Sequence, residues 1–369
     1  MSGSVQSSWC RWWAGMICVV LFFILCFSAF ANNQLYLQYS FEKDPQVIDL
    51  GTQPLWLPGG VVTAVMQRDN LLRQELAKVG MAVRFHPFMK GADVNAFLHG
   101  GQLEGGVGGD MPAITACIQD QMQIVSLIDL GFTSIVTREA MLMTSLQGGR
   151  IGYARGSNAH YALLQTLASS GMDESTVTLV EMDVDAMPEQ LRKKQIDAFA
   201  AWEPTPTWAV FQDNAQIVYR FLSSGYVYFA PSVVQDHPEA VRILLAAQIR
   251  ALTWLDQSEA NLEQGVDWGI EEMHKLLNTQ EKRDRDELVR LTMRGLRNLS
   301  LTPLLPEDDR MPQGRLAKAV AFLRKIDKIP RDASWESVSS CFHPELVETV
   351  LLAPTQYQLD LFDYRQEVP

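Results

Sequence analysis

Residues 155–171, RGSNAHYALLQTLASSG, place polar groups at the start of a run whose apolar residues recur at helical spacing. Ser157 stands where an N-cap residue is expected. A helix N-terminus presents unpaired N–H groups and a positive dipole, so Ser157, Asn158 and the nearby His160 could hold an oxyanion there. The alternative is a helix cap that satisfies itself, beside a half-buried histidine.

Two further segments that follow predicted strands contain residues suited to a binding site. In GTQPLW (51–56), prolines stiffen the loop, and Trp56 could wall a pocket or staple the loop to the core. In GGVGGDMP (105–112), Asp110 can cap a helix that has Pro112 in its first turn. Glycines let the backbone approach a ligand closely, but they also form ordinary tight turns.

A fourth loop is AAWEPTPTW (200–208), where Trp202 and Glu203 end a strand that Pro204 stops. The alternative there is a plain turn with a solvated glutamate. The chain contains no G-x-S-x-G, H-E-x-x-H or P-loop motif, and its six histidines lack metal-ligand spacing. We therefore expect a protein that is not an enzyme and that needs no metal or cofactor.

The first 31 residues differ from the rest of the chain. Arg11 is their only basic residue, 12–31 contains no charge, and Ala29-Phe30-Ala31 matches a signal-peptidase site. We predict a cleaved export signal over 1–31. An uncleaved anchor is the alternative, because 20 uncharged residues just reach the length that spans a bilayer. In both cases the body of the protein leaves the cytoplasm.

Charge and cysteine content exclude two classes of protein. The formal net charge of −12 and the absence of a Lys/Arg stripe argue against a nucleic-acid partner. Beyond the leader only Cys117 and Cys341 remain, which is too few for a disulfide-stapled scaffold. A disulfide between them is open in an oxidising compartment, but the sequence favours two separate buried thiols.

Strand-like and helix-like segments alternate up to residue 231, which is typical of an open α/β sheet. A long helix is predicted from Val61 to Val79, and nearly everything from Pro238 onward favours helix. The predicted strands are 34–40, 82–88, 124–130, 150–154, 177–182 and 196–202, followed by QIVYRF and YVYFAP.

The order of these segments resembles the periplasmic substrate-binding proteins of the nitrate/sulfonate/taurine ABC-transporter group, which includes binders of thiamine-pyrimidine precursors. The matching segments are GVGGDMPA, GGRIGYARGSNAHYALLQTLASSG and IDAFAAWEPTP, together with the helical ending. The resemblance implies a bilobal periplasmic-binding-protein type 2 fold, with two α/β lobes joined by a two-strand hinge and a helical C-terminal region. Lobe 1 would comprise 32–130 and 232–369, and lobe 2 would comprise 131–231.

The resemblance also implies a ligand cleft formed by the four loops. Because a carboxylate repels a pure anion, Glu203 favours a ligand with both an anionic head and an amine. Taurine fits, with its sulfonate at Ser157–His160 and its ammonium at Glu203; an aminopyrimidine is the alternative. The implied ligand-binding residues are Gln53, Trp56, Gly109, Asp110, Met111, Ser157, Asn158, His160, Trp202 and Glu203.

As partners, the resemblance implies a small-molecule ligand and an ABC permease in the inner membrane, with the binding protein a periplasmic monomer. Two rival functions remain. One is a sensor of the same fold, anchored by residues 12–31, that reports the ligand to a signalling protein. The other is a pyridoxal-dependent pyrimidine synthase, for which Lys90 is only a weak candidate for the Schiff base.

Overall fold

The computed structural model of the protein describes residues 34–41, 43–279, 284–299 and 301–366. The predicted leader, 1–31, lies outside the described residues. The chain divides into two compact units, 1–42 and 43–369. In the first unit the predicted strand over 34–40 is wrong: Gln34–Tyr36 form a 3-10 helix, and the Tyr39 N–H closes a turn on the Tyr36 carbonyl at 3.1 Å.

The second unit is built on one mixed sheet of eight strands in the order β2-β1-β3-β8-β4-β7-β5-β6. Its strands are β1 (Val47–Thr52), β2 (Ala82–Pro87), β3 (Gly105–Gly109), β4 (Gln123–Thr137), β5 (Arg150–Tyr153), β6 (Thr178–Glu181), β7 (Ala198–Trp202) and β8 (Gln216–Phe229). The pairs β1–β2, β1–β3, β5–β6 and β5–β7 are parallel, whereas β3–β8, β8–β4 and β4–β7 are antiparallel.

The two central strands connect the halves of this sheet. β3 pairs with the end of β8, over Gly225–Phe229, while β7 pairs with the end of β4, over Thr133–Thr137. The predicted segments QIVYRF and YVYFAP are therefore parts of one 14-residue strand. Small residues between them look like a turn in the sequence, but the ladder with β4 continues through Ser223 and Ser224. The assignment of lobes to particular ranges stays a prediction.

Helices pack around this sheet, and the helices that follow β8 form the C-terminal region. Up to β8 the helices are α1 (Gly59–Arg68), α2 (Asn70–Lys78), α3 (Gly91–His99), α4 (Asp110–Asp120), α5 (Asn158–Ser169), α6 (Met187–Arg192) and α7 (Thr205–Asp213). After β8 they are α8 (Pro231–Asp236), α9 (Pro238–Gln257), α10 (Glu259–Leu277), α11 (Arg285–Asn298), α12 (Glu307–Arg310), α13 (Arg315–Lys325), α14 (Trp335–Ser339) and α15 (Pro344–Leu352). Short 3-10 helices cover Met143–Leu146 and Glu174–Thr176.

The single long helix predicted over 61–79 is wrong, because Asp69 interrupts it. Asp69 has an extended backbone and caps α2 by accepting the Leu72 N–H at 3.1 Å. Its carboxylate also pairs with Arg250 at 2.6 Å, and both side chains are fully buried. A tertiary ion pair thus fixes a break that the apolar periodicity did not indicate.

Cys117 and Cys341 form a disulfide, so the prediction of two separate thiols is wrong. Helix α14 packs against α4, which brings the two Cα atoms to 6.2 Å, within the range that a disulfide needs. None of the helices among the described residues is both long and apolar enough to cross a membrane.

Candidate functional site

A cavity with about 180 Å³ of accessible space lies beside the central strands of the sheet. Loops after β1 and β7, the start of α5 and the C-terminal part of α11 complete its wall. Of the ten residues predicted for the ligand cleft, those that line this cavity are Gln53, Trp56, Gly109, Ser157, Asn158, Trp202 and Glu203. The structure thus brings together residues from all four predicted loops.

The loop after β1 is fixed by the side chains that it contributes. The Gln53 amide donates to the Val107 carbonyl at 2.7 Å, and the Trp56 indole N–H donates to Oδ2 of Asp129 at 3.1 Å. A Cβ at Gly225 would come within 1.8 Å of the Trp56 ring, so the ring lies directly against the backbone of β8. Trp56 is therefore a cavity wall held in one orientation.

The end of β7 is tied to the same loop by two hydrogen bonds. The Trp202 indole N–H donates to the Leu55 carbonyl at 3.0 Å, and the Leu57 N–H donates to the Glu203 carbonyl at 3.1 Å. The second tryptophan thus has its polar atom satisfied by the backbone of the loop that carries the first. The two aromatic walls of the cavity are linked as one unit.

Glu203 has a protein partner that the sequence did not reveal. Its Oε1 pairs with Nη2 of Arg294, on α11, at 2.8 Å, and its Oε2 accepts the Thr207 N–H at 3.3 Å. The Arg294 side chain is 56% exposed and the Glu203 side chain 12% exposed. Because Arg294 balances its charge, Glu203 is not the open acid that the sequence analysis expects to meet an ammonium group.

At the start of α5, Ser157 and Asn158 line the cavity while they hold local structure. The Ser157 hydroxyl donates to the Ala154 carbonyl at 2.6 Å and accepts the His160 N–H at 3.2 Å, so it satisfies itself as a cap. Asn158 accepts the Met111 N–H and donates to the Ser224 carbonyl, each at 3.2 Å. A Cβ at Gly109 would overlap the Asn158 amide, so glycine is needed there.

Three predicted residues do not line the cavity, and His160 is the clearest. Its ring packs on Tyr153 with centroids 4.7 Å apart, and its Nδ1 accepts the Gly156 N–H at 3.2 Å. Burial, with the charges of Lys328 and Arg155, lowers the pKa of His160 to about 4. The histidine is therefore neutral, and the structure places it in the core behind the helix start.

Asp110 and Met111 also stand behind the wall. Both Asp110 oxygens accept from Arg315, on α13, at 3.0 Å and from the Ser224 N–H at 3.2 Å. Arg315 bonds Asp309 as well, at 2.8 Å. Burial outweighs the attraction of Arg315 and raises the pKa of Asp110 to about 6. Asp110 belongs to a buried charge cluster that the sequence could not show, because Arg315 lies far along the chain.

Asp129, on β4, lines the cavity and was missed by the sequence analysis. It is 4% exposed, and burial raises its pKa to about 8 despite the hydrogen bond from Trp56. Its Oδ1 is buried and has no hydrogen-bond partner among the described residues. The available signal was a lone acid inside the apolar strand segment IVSLIDL.

Arg220 and Arg294 line the cavity from β8 and α11, and neither was predicted. The side chain of Arg220 is exposed and forms no hydrogen bond or ion pair with any residue that the structure describes, whereas that of Arg294 is balanced by Glu203. Burial raises the pKa of Asp129 and Glu203 is paired with Arg294, so Arg220 is the lining cation whose charge has no partner among the described residues. No group of three or more His, Cys, Asp or Glu that could hold a metal ion occurs in the described part of the chain.

A family model described as the NMT1-like family matches residues 65–268, which are 204 of the 369 residues. Among curated protein sequences none matches the chain. Several solved structures share its fold, at identities too low to transfer more than the fold. These structures include sulfonate-binding and nitrate-binding proteins, the group that the sequence resembles, and they confirm the predicted fold class.

Three of these structures illustrate the likeness. The alkanesulfonate-binding protein SsuA from Xanthomonas axonopodis pv. citri, bound to MOPS, has a TM-score of 0.63 at 18% identity, covering 82% of this chain and 99% of that one. The periplasmic aliphatic sulphonate binding protein SsuA from Escherichia coli has a TM-score of 0.59 at 15% identity, covering 80% and 92%. The periplasmic nitrate-binding protein NrtA from Synechocystis PCC 6803 has a TM-score of 0.62 at 13% identity, covering 85% and 90%.

Proposed function

The chain belongs to the NMT1-like family, and on that premise we propose that it is the extracytoplasmic solute-binding component of an ABC-type importer. It captures a small organic ligand with an anionic head and delivers it to a membrane permease. No covalent chemistry is required. The ligand-binding residues are those predicted ones that line the cavity, with Arg220 added from the structure.

The observation that carries this proposal is the guanidinium of Arg220, which has no partner among the described residues and lies in a cavity with two tryptophan walls. Arginine binds planar and tetrahedral oxyanions through several N–H donors in a fixed geometry. Among the other charged groups of the wall, Glu203 and Arg294 balance each other, and burial raises the pKa of Asp129 to about 8. An anionic head is the ligand feature that completes this charge arrangement.

The structural neighbours support the same class of function. Their names describe binding of alkanesulfonates, aliphatic sulphonates and nitrate, and all three cover at least 80% of this chain. The Cys117–Cys341 disulfide supports a location outside the cytoplasm, because such bonds persist in oxidising compartments. A membrane anchor over 12–31 remains the alternative to a free periplasmic protein.

Release to the permease follows from opening of the cavity. The long strands β4 and β8 belong to both halves of the sheet, so bending of this pair moves one cavity wall against the other. A ligand that contacts Trp56 and Arg220 together favours the closed arrangement, because it gains both contacts only there.

Thermal-shift assays and calorimetry on residues 32–369 test this function with nitrate, ethanesulfonate, taurine, MOPS and aminopyrimidines. A ligand at 100 times its dissociation constant adds about 2.7 kcal/mol to the free energy of unfolding. We expect at least one anionic compound to bind the wild type and to bind Arg220→Ala at least about tenfold more weakly.

Arg331→Ala is the matched control, because this arginine is exposed, pairs only with Asp327 in the described structure and does not line the cavity. It should bind the same ligand with wild-type affinity. If Arg220→Ala binds the ligand as tightly as the wild type does, the proposed recognition of an anionic head by Arg220 is wrong. A panel without any binder would overturn the proposed function.

A further inference from the structure

Lys90 is almost completely buried between two acids. Its side chain is 6% exposed, and its Nζ lies 2.8 Å from Oδ1 of Asp183 and 3.3 Å from Oδ1 of Asp93. Burial lowers the pKa of Lys90, but the attraction of Asp93 and Asp183 together outweighs burial and raises it. The side chain therefore stays an ammonium ion, which is a poor nucleophile. The weak Schiff-base candidate of the sequence analysis has an electrostatic role instead.

The two acids belong to different parts of the fold. Asp93 lies in the first turn of α3, directly after Lys90, whereas Asp183 follows β6. The loop that carries Lys90 comes after β2, and β2 and β6 are the opposite edges of the sheet. The pair Lys90–Asp183 therefore joins the two halves of the sheet that the central strands β4 and β8 connect.

This ion pair lies next to the cavity. Gly91, the neighbour of Lys90, lines the cavity wall. A Cβ at Gly156 would lie 2.9 Å from the Cβ of Ala92, so the loop before α5 touches the start of α3. The two halves are thus in direct contact beside the cavity, and the ion pair is part of that contact.

Two other ion pairs connect the half that contains β5, β6 and β7 to the C-terminal region. In Glu203–Arg294 the arginine side chain is 56% exposed. In Lys328–Glu174 the two side chains are 27% and 38% exposed. Exposed pairs are screened by water and salt and contribute little. The buried ammonium of Lys90 makes its pair the strongest of the three, because attraction between charges grows as water is excluded.

We propose that Lys90 and Asp183 form an ionic latch that holds the two halves of the sheet together beside the cavity. When the halves separate, Asp183 moves away with β6, while Asp93 stays with Lys90 because both belong to the start of α3. The lysine thus keeps one partner, and the latch can open without leaving its charge unpaired. Lys90 is a positioning residue that acts on ligand capture through closure. The latch serves the closure that the proposed function needs, but its test uses no ligand.

The distance between two spin labels reports closure directly. Gln102→Cys precedes β3 in one half and Gln195→Cys precedes β7 in the other, and both positions are exposed. In residues 32–369 the other cysteines are Cys117 and Cys341, which are bonded to each other and do not take a label. Double electron–electron resonance then gives the ratio of molecules with a long and a short distance between the labels.

Asp183→Asn removes one charge of the latch and leaves Lys90 paired with Asp93. We expect mainly short distances in the wild type and a long-to-short ratio at least about fivefold higher in Asp183→Asn. Glu181→Gln is the matched control, because it removes the same charge two residues earlier and breaks an exposed pair with Arg155 inside one half. Its ratio should change by less than about twofold.

A second variant keeps the test decisive if Asp183→Asn does not fold. Lys90→Gln should raise the ratio as Asp183→Asn does, and the double variant should be no more open than either single variant, since both remove the same pair. A ratio that stays at the wild-type value in these variants overturns the latch, as does equal opening of Glu181→Gln. A wild type with mainly long distances overturns it as well. All these results leave the proposed function intact, because none of them involves a ligand.

Discussion

Asp110 and Asp129 are both buried acids with raised pKa values, yet their surroundings differ completely. Asp110 receives hydrogen bonds on both oxygens from Arg315 and a backbone N–H. Asp129 accepts one indole N–H on Oδ2, and its Oδ1 is buried without a side-chain hydrogen-bond partner among the described residues. Burial and pKa alone would rank the two together. The hydrogen-bond partners separate them: Asp110 belongs to a charge cluster with Arg315, whereas Asp129 is paired with no cation among the described residues.

The largest change in stability is expected when Arg315, the partner of Asp110, is removed. Arg315→Ala leaves Asp110 and Asp309 buried without their shared cation, so we expect a loss of about 3 kcal/mol in the free energy of unfolding, measured by denaturant titration. Arg331→Ala, which breaks an exposed ion pair, should cost less than about 1 kcal/mol. Equal losses in the two variants would mean that the Asp110 cluster contributes nothing special to stability.

The raised pKa of Asp129 predicts that the stability of the protein depends on pH. Because its folded-state pKa of about 8 lies above the ordinary aspartate value, the folded protein binds this proton more tightly than the unfolded chain. Its contribution is complete below the unfolded pKa and is lost as the pH rises through about 8. Asp129→Asn should therefore match the wild type near pH 4 and exceed its stability by on the order of 1–3 kcal/mol at pH 8.5. If the stability difference between Asp129→Asn and the wild type stays constant in thermal melts from pH 4 to 8.5, the raised pKa of Asp129 is contradicted.

The smallest loss of stability is expected when the ion pair between Glu203 and Arg294 is broken. Arg294→Ala removes the partner of Glu203, but that arginine is mostly exposed, and Glu203 keeps the hydrogen bond from the Thr207 N–H. We expect less than about 1 kcal/mol of lost stability in the same denaturant titrations. A loss as large as that of Arg315→Ala would place Glu203 with the buried charge cluster instead.

Local patterns predicted the elements whose hydrogen bonds lie near in sequence. The strand at 82–88, the strand ending at Trp202 and the capped helix after Ser157 are present within a few residues of their predicted bounds. These positions follow from alternation, capping and turn residues, which act over a few residues. The loops that carry Gln53, Trp56 and Trp202 were found for the same reason.

Distant partners account for what the sequence analysis missed. Asp69 breaks a helix because Arg250 holds it, and Asp110 turns away from the cavity because Arg315 holds it. Arg294 reaches the cavity from a C-terminal helix to which the sequence analysis assigned no binding residue. His160 was placed in the site by its closeness to Ser157 in sequence, but its ring points into the core. Periodicity shows that a helix has a buried face and does not show which groups that face meets.

The Cys117–Cys341 bond closes a covalent ring, since the two residues are 224 positions apart. The strands β4, β7 and β8, with Asp129, Arg220 and Arg294, all lie inside that ring, whereas Gln53 and Trp56 lie outside it. A protease that cuts one peptide bond within the ring cannot separate the two pieces, which stay joined through sulfur. Such a nicked protein would migrate as one species on a non-reducing gel and as two fragments after reduction, because the bond ties the last part of the chain to the first half.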